Sequence, residues 1–138
     1  MSGATLDAIR HAALWFEPTT DGFDPLLQSI GDARLVLIGE ASHGTHEFYQ
    51  IRAEVTKALI ARKGFNAVAV EADWPDAYRV NRWVRHASAD TDAEAALGDF
   101  TRFPRWMWRN RDVVEFLTTK NSRAKTADGC VRQHDLRA

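Results

Sequence analysis

One stretch constrains this chain more than any other: LVLIGEASHGTHEFY, residues 35–49. Its apolar run, Leu35 to Ile38, stops at Gly39, and a short apolar run bounded by glycine reads as a buried strand. A carboxylate, Glu40, and two imidazoles, His43 and His46, follow at once, and a helical pattern begins there. In open α/β sheets ligands bind beyond the carboxyl ends of the strands. Titratable groups gathered at such an end therefore mark a candidate site. The plainer reading is that these residues cap the helix, although a cap needs only one polar side chain.

A second apolar run, Ala67 to Ala72 (AVAVEA), completes a strand–helix–strand pattern. The intervening helix is predicted from Thr45 to Lys63, with Phe48, Ile51, Val55, Ala58 and Leu59 on one face and Gly64 ending it. Both runs are apolar nearly throughout, as parallel strands covered on both faces are. The predicted fold class is α/β: a partial parallel sheet, 35–39 beside 67–72, with a right-handed crossover and flanking helices. Glu71 then closes its strand as Glu40 closes the first. Arg52 falls inside the apolar stripe of the helix, where an unpaired charge is costly. Either its stem snorkels at the edge of the stripe, or it reaches a carboxylate at the strand ends. His46 points away from that side if the helix already includes it, and it is equally a solvated first-turn residue. On the functional reading, Glu40, His43, Arg52 and Glu71 converge from three segments.

The remaining elements are helical. Residues 5–15 place Leu6, Ile9, Ala13 and Leu14 on one face; Asp24 and Pro25 open a short helix ending near Ile30. A helix after Asp73 or Trp74 carries Ala77, Val80, Trp83, Val84 and Ala87 on one side, with Arg79, Arg82, Arg85 and His86 solvated. A short helical piece falls near Ala93 to Leu97. From about Pro104 a last helix would align Trp106, Val113 and Leu117, with Trp108 roughly opposite. Two tryptophans on different faces cannot enter the same core, so one is expected at a second contact. Residues 118–138 have no hydrophobic period, and their charge balance of +3 follows a balance of −4 in residues 1–117. That composition predicts a disordered or out-of-frame tail, 118–138, after one domain, 1–117.

Charge and cysteine content exclude several classes. The net charge of −1 favours neither nucleic acid nor a membrane surface. Arg102, Arg105, Arg109 and Arg111 are interleaved with aromatics, but no nucleic-acid module accompanies them. A single cysteine, Cys130, excludes a disulfide framework and a cysteine metal cluster, and it fits a reducing, cytoplasmic setting. The amino terminus has charges within its apolar pattern and does not read as a secretion signal.

Three segments, GEASHGTHEFYQIR, AVAVEADW and GDFTRFPRWMWRN, together resemble the erythromycin esterase family from about residue 10 to residue 117. The family pattern is Gly-Glu-x-x-His after the first strand, an arginine in the next helix and a glutamate closing the second strand. Residue by residue, these are Glu40, His43, Arg52 and Glu71. The resemblance implies hydrolysis of a small-molecule ester, with macrolide lactones as the best-known substrates, by water activated at a histidine. A neutral His43 would take the proton, Glu40 or Glu71 would orient it, and Arg52 would face developing negative charge. Ser42 lacks the Gly-x-Ser-x-Gly setting of a nucleophile elbow. No cofactor is implied, but a divalent metal such as zinc, held by Glu40, His43, His46 and Glu71, is a competing reading. Family members are much longer and carry later site residues, including a histidine. A truncated or frameshifted gene would explain that difference. The chain alone is therefore expected to be a poor hydrolase, to associate through an exposed sheet edge, or to serve as a non-catalytic ligand- or partner-binding fragment.

Overall fold

The computed structural model describes residues 3–13, 22–39, 42–102 and 105–124, with the side chains of 120–124 left aside. Among these residues there are six helices: α1 (Gly3–Ala12), α2 (Asp24–Ile30), α3 (His46–Lys63), α4 (Trp74–Val84), α5 (Ala93–Ala96) and α6 (Arg111–Ala124). A single 3-10 turn, Arg105–Met107, precedes α6.

The described residues contain no strand, so the expected α/β sheet is replaced by helical architecture. Residues 35–39 and 67–72 are irregular. The apolar side chains meant for a doubly covered sheet face outward: Leu35 is 74% exposed, Leu37 86% and Val68 51%. Two short runs cannot make a stable sheet by themselves, because isolated two-stranded pairs are marginal in water and parallel pairing is the weaker kind. Meanwhile α3 satisfies its apolar face elsewhere. Among the described residues there is accordingly no sheet edge, and Leu35, Leu37, Ile38, Val68 and Val70 are exposed.

Two cores form. In the first, Phe23 and Leu27 from α2 and its preceding turn meet Val55, Ala58 and Leu59 of α3, with Ile30, Val36, Ile51 and Phe65 packed around them. Pro25 in the first turn of α2 needs no hydrogen-bond partner for its nitrogen. The carboxyl end of α3 is tied to α2 by Arg62 on Asp24 and by Lys63 Nζ donating to the Gly31 carbonyl at 2.9 Å. Gly64 ends α3 in the left-handed region, φ 73°, where its lack of a Cβ is required. Phe48, expected on the buried face, is 45% exposed.

In the second core Trp83 of α4, Ala93 and Ala96 of α5, Leu97, Phe100 and Leu117 of α6 are all buried. Asp92 caps α5: its Oδ1 accepts from the Ala95 N–H at 2.8 Å. Arg79, placed on a solvated face by its periodicity, instead bridges Asp90 (Nη2–Oδ1 2.6 Å) and Asp99, pinning the 85–92 connection to α4. Trp108 packs against this core, its ring 5.8 Å from that of Phe100. Trp106 is not part of it and is exposed, so of the two tryptophans Trp108 is the one that meets this core. The reason is local: the chain makes a 3-10 turn before α6 begins at Arg111, so one continuous helical period does not run through both.

Helices α3 and α6 pack directly on each other and join the cores. Helix α6 continues through Ala124, into the stretch whose composition predicts disorder; residues 125–138 lie outside the described residues. No helix among the described residues is long and apolar enough to cross a membrane.

Candidate functional site

The site is built where the amino end of α3 meets the amino end of α6. Residues 42–45 form the turn that leads into α3, and Thr45 stands at its N-cap with extended backbone, φ −106° and ψ 116°. Gly44 in that turn has φ +80°, a conformation glycine adopts without strain. The turn holds His43 out at the surface, exposed.

His43 meets Trp106 edge-on, with ring centroids 5.9 Å apart and planes at 69°. That is the T-shaped arrangement aromatic quadrupoles favour. Trp106 is held there by Asn110. Its side-chain amide donates to the Trp106 carbonyl at 3.1 Å and the Met107 carbonyl at 3.0 Å, while its Oδ1 accepts from the Val113 N–H at 3.0 Å. One asparagine thus caps α6 and fastens the 3-10 turn to it. The neighbouring Arg102 donates to Asp73 at 3.3 Å, linking the same segment to the start of α4.

At the first residue of α3, His46 Nδ1 lies 2.7 Å from Asp112 Oδ1, with the histidine largely exposed and the aspartate largely buried. Six residues on, Arg52 Nη2 donates to the Gly39 carbonyl at 2.8 Å. The arginine therefore holds the backbone beside Glu40 rather than a carboxylate, and it ties residues 35–39 to α3. Between them, the Tyr49 hydroxyl oxygen is buried without a hydrogen-bond partner among the described residues. Burial pushes its pKa up; the Arg52 charge opposes that shift and the Asp112 charge adds to it.

The residues expected to converge are thus placed unevenly. His43 and Arg52 flank the start of α3. Glu40 lies outside the described residues. Glu71 is exposed on the irregular stretch before α4. No group of three or more His, Cys, Asp or Glu side chains arranged to hold a metal occurs among the described residues. The metal reading also needs His46, whose Nδ1 faces Asp112. Sequence reasoning missed Asp112, Asn110 and Tyr49. Asn110 could have been found, since an Asn three residues before Val113 is an N-cap signal. Asp112 and Tyr49 could not, because their roles depend on α3 lying against α6.

A hollow of about 400 Å³ lies elsewhere, between α4 and the 85–92 connection. Of its charged lining residues, Arg79 is bound to Asp90 and Asp99, and Arg82 Nε donates to the Ala87 carbonyl at 2.9 Å.

Residues 60–121 match the family model described as Erythromycin esterase. The chain is 32% identical over 80 residues to an erythromycin esterase type II of Escherichia coli, covering 58% of this chain and 19% of that protein. It is 33% identical over 72 residues to an erythromycin esterase type I of Escherichia coli, covering 52% of this chain and 18% of that protein. The chain therefore matches only about a fifth of the length of these relatives. No solved structure matches it.

Proposed function

Since residues 60–121 carry part of an erythromycin esterase domain, we propose that this chain contributes the water-activating part of a carboxylic ester hydrolase. The substrate class is a macrolide lactone or a related small-molecule ester, following the relatives' names. The observation that supports this most is the position of His43: an exposed imidazole on the turn before α3, met edge-on by Trp106.

The chemistry follows from that position. Neutral His43 accepts a proton from water as the water oxygen attacks the ester carbonyl carbon. The carbonyl π electrons move to oxygen, giving a tetrahedral oxyanion. Collapse restores the carbonyl and expels the alkoxide, which takes the proton from the imidazolium. For a lactone this opens the ring and leaves a carboxylic acid and a hydroxyl on one product. Arg52 supplies fixed positive charge on the helix that follows His43, and the oxyanion benefits from it more than the neutral ester does. Glu40 and Glu71 are the carboxylates proposed to orient His43 and stabilise its charged form.

The test uses the purified chain with erythromycin and with 4-nitrophenyl acetate, with and without added zinc. Slow turnover by the wild type that is lost in His43→Ala, with the circular dichroism spectrum unchanged, is the expected result. Turnover retained in His43→Ala rules out this residue as the base. Binding of erythromycin without any turnover favours the non-catalytic alternative, for which the exposed stacked pair Trp74 and Tyr78, centroids 4.8 Å apart, is the matching feature.

A further inference from the structure

Helix α4 sets Trp74, Tyr78 and Arg82 four residues apart, a spacing that places them on one face. Trp74 is 65% exposed and Tyr78 40%, and their ring centroids lie 4.8 Å apart with planes at 35°. Tyr78 and Arg82 also line the hollow of about 400 Å³ between α4 and the 85–92 connection. Beyond α4, His86 takes φ 55°, the chain turns, and Ser88 and Asp90 line the hollow from the connection. Tyr78, Arg82 and Asp99 are exposed, so a ligand can enter.

The walls are fixed by hydrogen bonds. Arg79 donates to Asp90 through Nη2 at 2.6 Å and Nε at 3.2 Å, and to Asp99 through Nη1; Ser88 Oγ also donates to Asp90. Capacity is left over at the rim. Asp99 accepts through Oδ1, which leaves Oδ2, and Arg82 donates to Ala87 through Nε, which leaves its Nη groups. Two arginines and two aspartates line the hollow, so its formal charge is zero. An anion there would meet Asp90 and Asp99, and a cation would meet Arg79 and Arg82. Hydroxyl groups suit both, because each donates and accepts. The volume is near the lower end of small-molecule sites, roughly 300–1,000 Å³, which matches a ligand of one ring.

We propose that this hollow binds one pyranose ring of a neutral sugar, with the C–H face of the ring on the Trp74–Tyr78 aromatic surface and its hydroxyls bonded to Asp99 and Arg82. The C–H hydrogens of a pyranose carry partial positive charge and meet the negative face of an aromatic ring. One hydroxyl donates to Asp99 Oδ2 and a neighbour accepts from Arg82, and both bonds are charge-assisted. The Arg79 network holds the walls in place beforehand, so binding orders little. The site goes beyond the hydrolase reading and does not depend on it: none of the residues lining the hollow is among those placed in ester hydrolysis.

The experiment titrates the full chain, labelled with nitrogen-15, with the methyl pyranosides of glucose, galactose, mannose and rhamnose at millimolar concentrations. Proton–nitrogen correlation spectra follow the backbone amides, the Trp74 indole N–H and the Arg82 Nε–H. At least one glycoside is expected to give saturable shifts centred on Trp74, Tyr78, Arg82 and residues 88–90. Tyr78→Leu removes the aromatic face, and Arg82→Met keeps the apolar stem and removes the donors. Both side chains are exposed and outside the two cores, and each variant should bind about tenfold more weakly. Lactose separates a single terminal ring from a longer saccharide: affinity equal to that of the methyl galactoside indicates the first, tighter binding the second, and both support the site. Absence of shifts with every glycoside overturns the proposal. So do shifts centred elsewhere, unchanged affinity in both variants, or benzoate or choline moving the same resonances at lower concentration than any glycoside. The wild-type spectra decide the matter even if a variant fails to fold. Sugar binding needs no turnover, so loss of the hydrolase reading leaves this one standing, and a failed titration leaves the hydrolase reading untouched.

Discussion

Leu117→Ala tests the second core where it is most surprising, at the edge of a sequence region with no hydrophobic period. Leu117 is 7% exposed and clusters with Trp83, Ala93, Ala96, Leu97 and Phe100. Truncation to Ala removes three carbons, worth about 2.4 kcal/mol at ~0.8 kcal/mol per buried methylene. The cavity left behind adds to this, since three sides of the site are held by α4, α5 and Phe100; measured Leu-to-Ala losses run about 2.7–5 kcal/mol. A loss of about 3 kcal/mol is expected, which lowers the unfolding midpoint by roughly 10 °C for a domain of this size. Urea unfolding followed by circular dichroism gives the free energy, and hydrogen exchange shows where it is lost. Exchange should accelerate first in α4, α5 and α6. A loss below about 1 kcal/mol, or acceleration confined to α2 and α3, would mean that α6 is not packed as described.

Gly64→Ala should cost about 1–2 kcal/mol, because its φ of 73° is left-handed while the space around it is open, so strain alone is measured. Asn110→Ala should cost about 1 kcal/mol as a lost N-cap, and Trp106 fluorescence should shift as the 3-10 turn loosens. Stability should also fall in acid. Arg79 and then Ser88 hold Asp90 below its usual pKa, and the Ala95 N–H and then Thr91 do the same for Asp92. The unfolded chain therefore binds protons first, so these contributions are complete above about pH 4 and are lost as pH falls through the lower folded values. Midpoints measured from pH 5 to pH 2 should drop less steeply in Asp90→Asn than in the wild type.

Local chemistry alone determined the helices and several of their ends. Asp24–Pro25 opens α2, Gly64 closes α3, Asp92 caps α5 and Asp73 precedes α4, because these signals act within one turn and need no distant partner. The apolar stripes of α3 and α4 likewise identified Val55, Leu59 and Trp83 as core. The tertiary structure decided whether the runs at 35–39 and 67–72 became strands. A strand is a relation between segments, so an apolar run states only a readiness to pair. Here Val36 joins the α2–α3 core while Leu35 and Leu37 stay in solvent. The same holds for the site. His43, Arg52 and their spacing are visible in the sequence. That Trp106 braces His43, that Asp112 faces His46 and that the Tyr49 hydroxyl is buried follow only from α3 lying against α6, since contacts across that seam join residues separated by more than fifty positions.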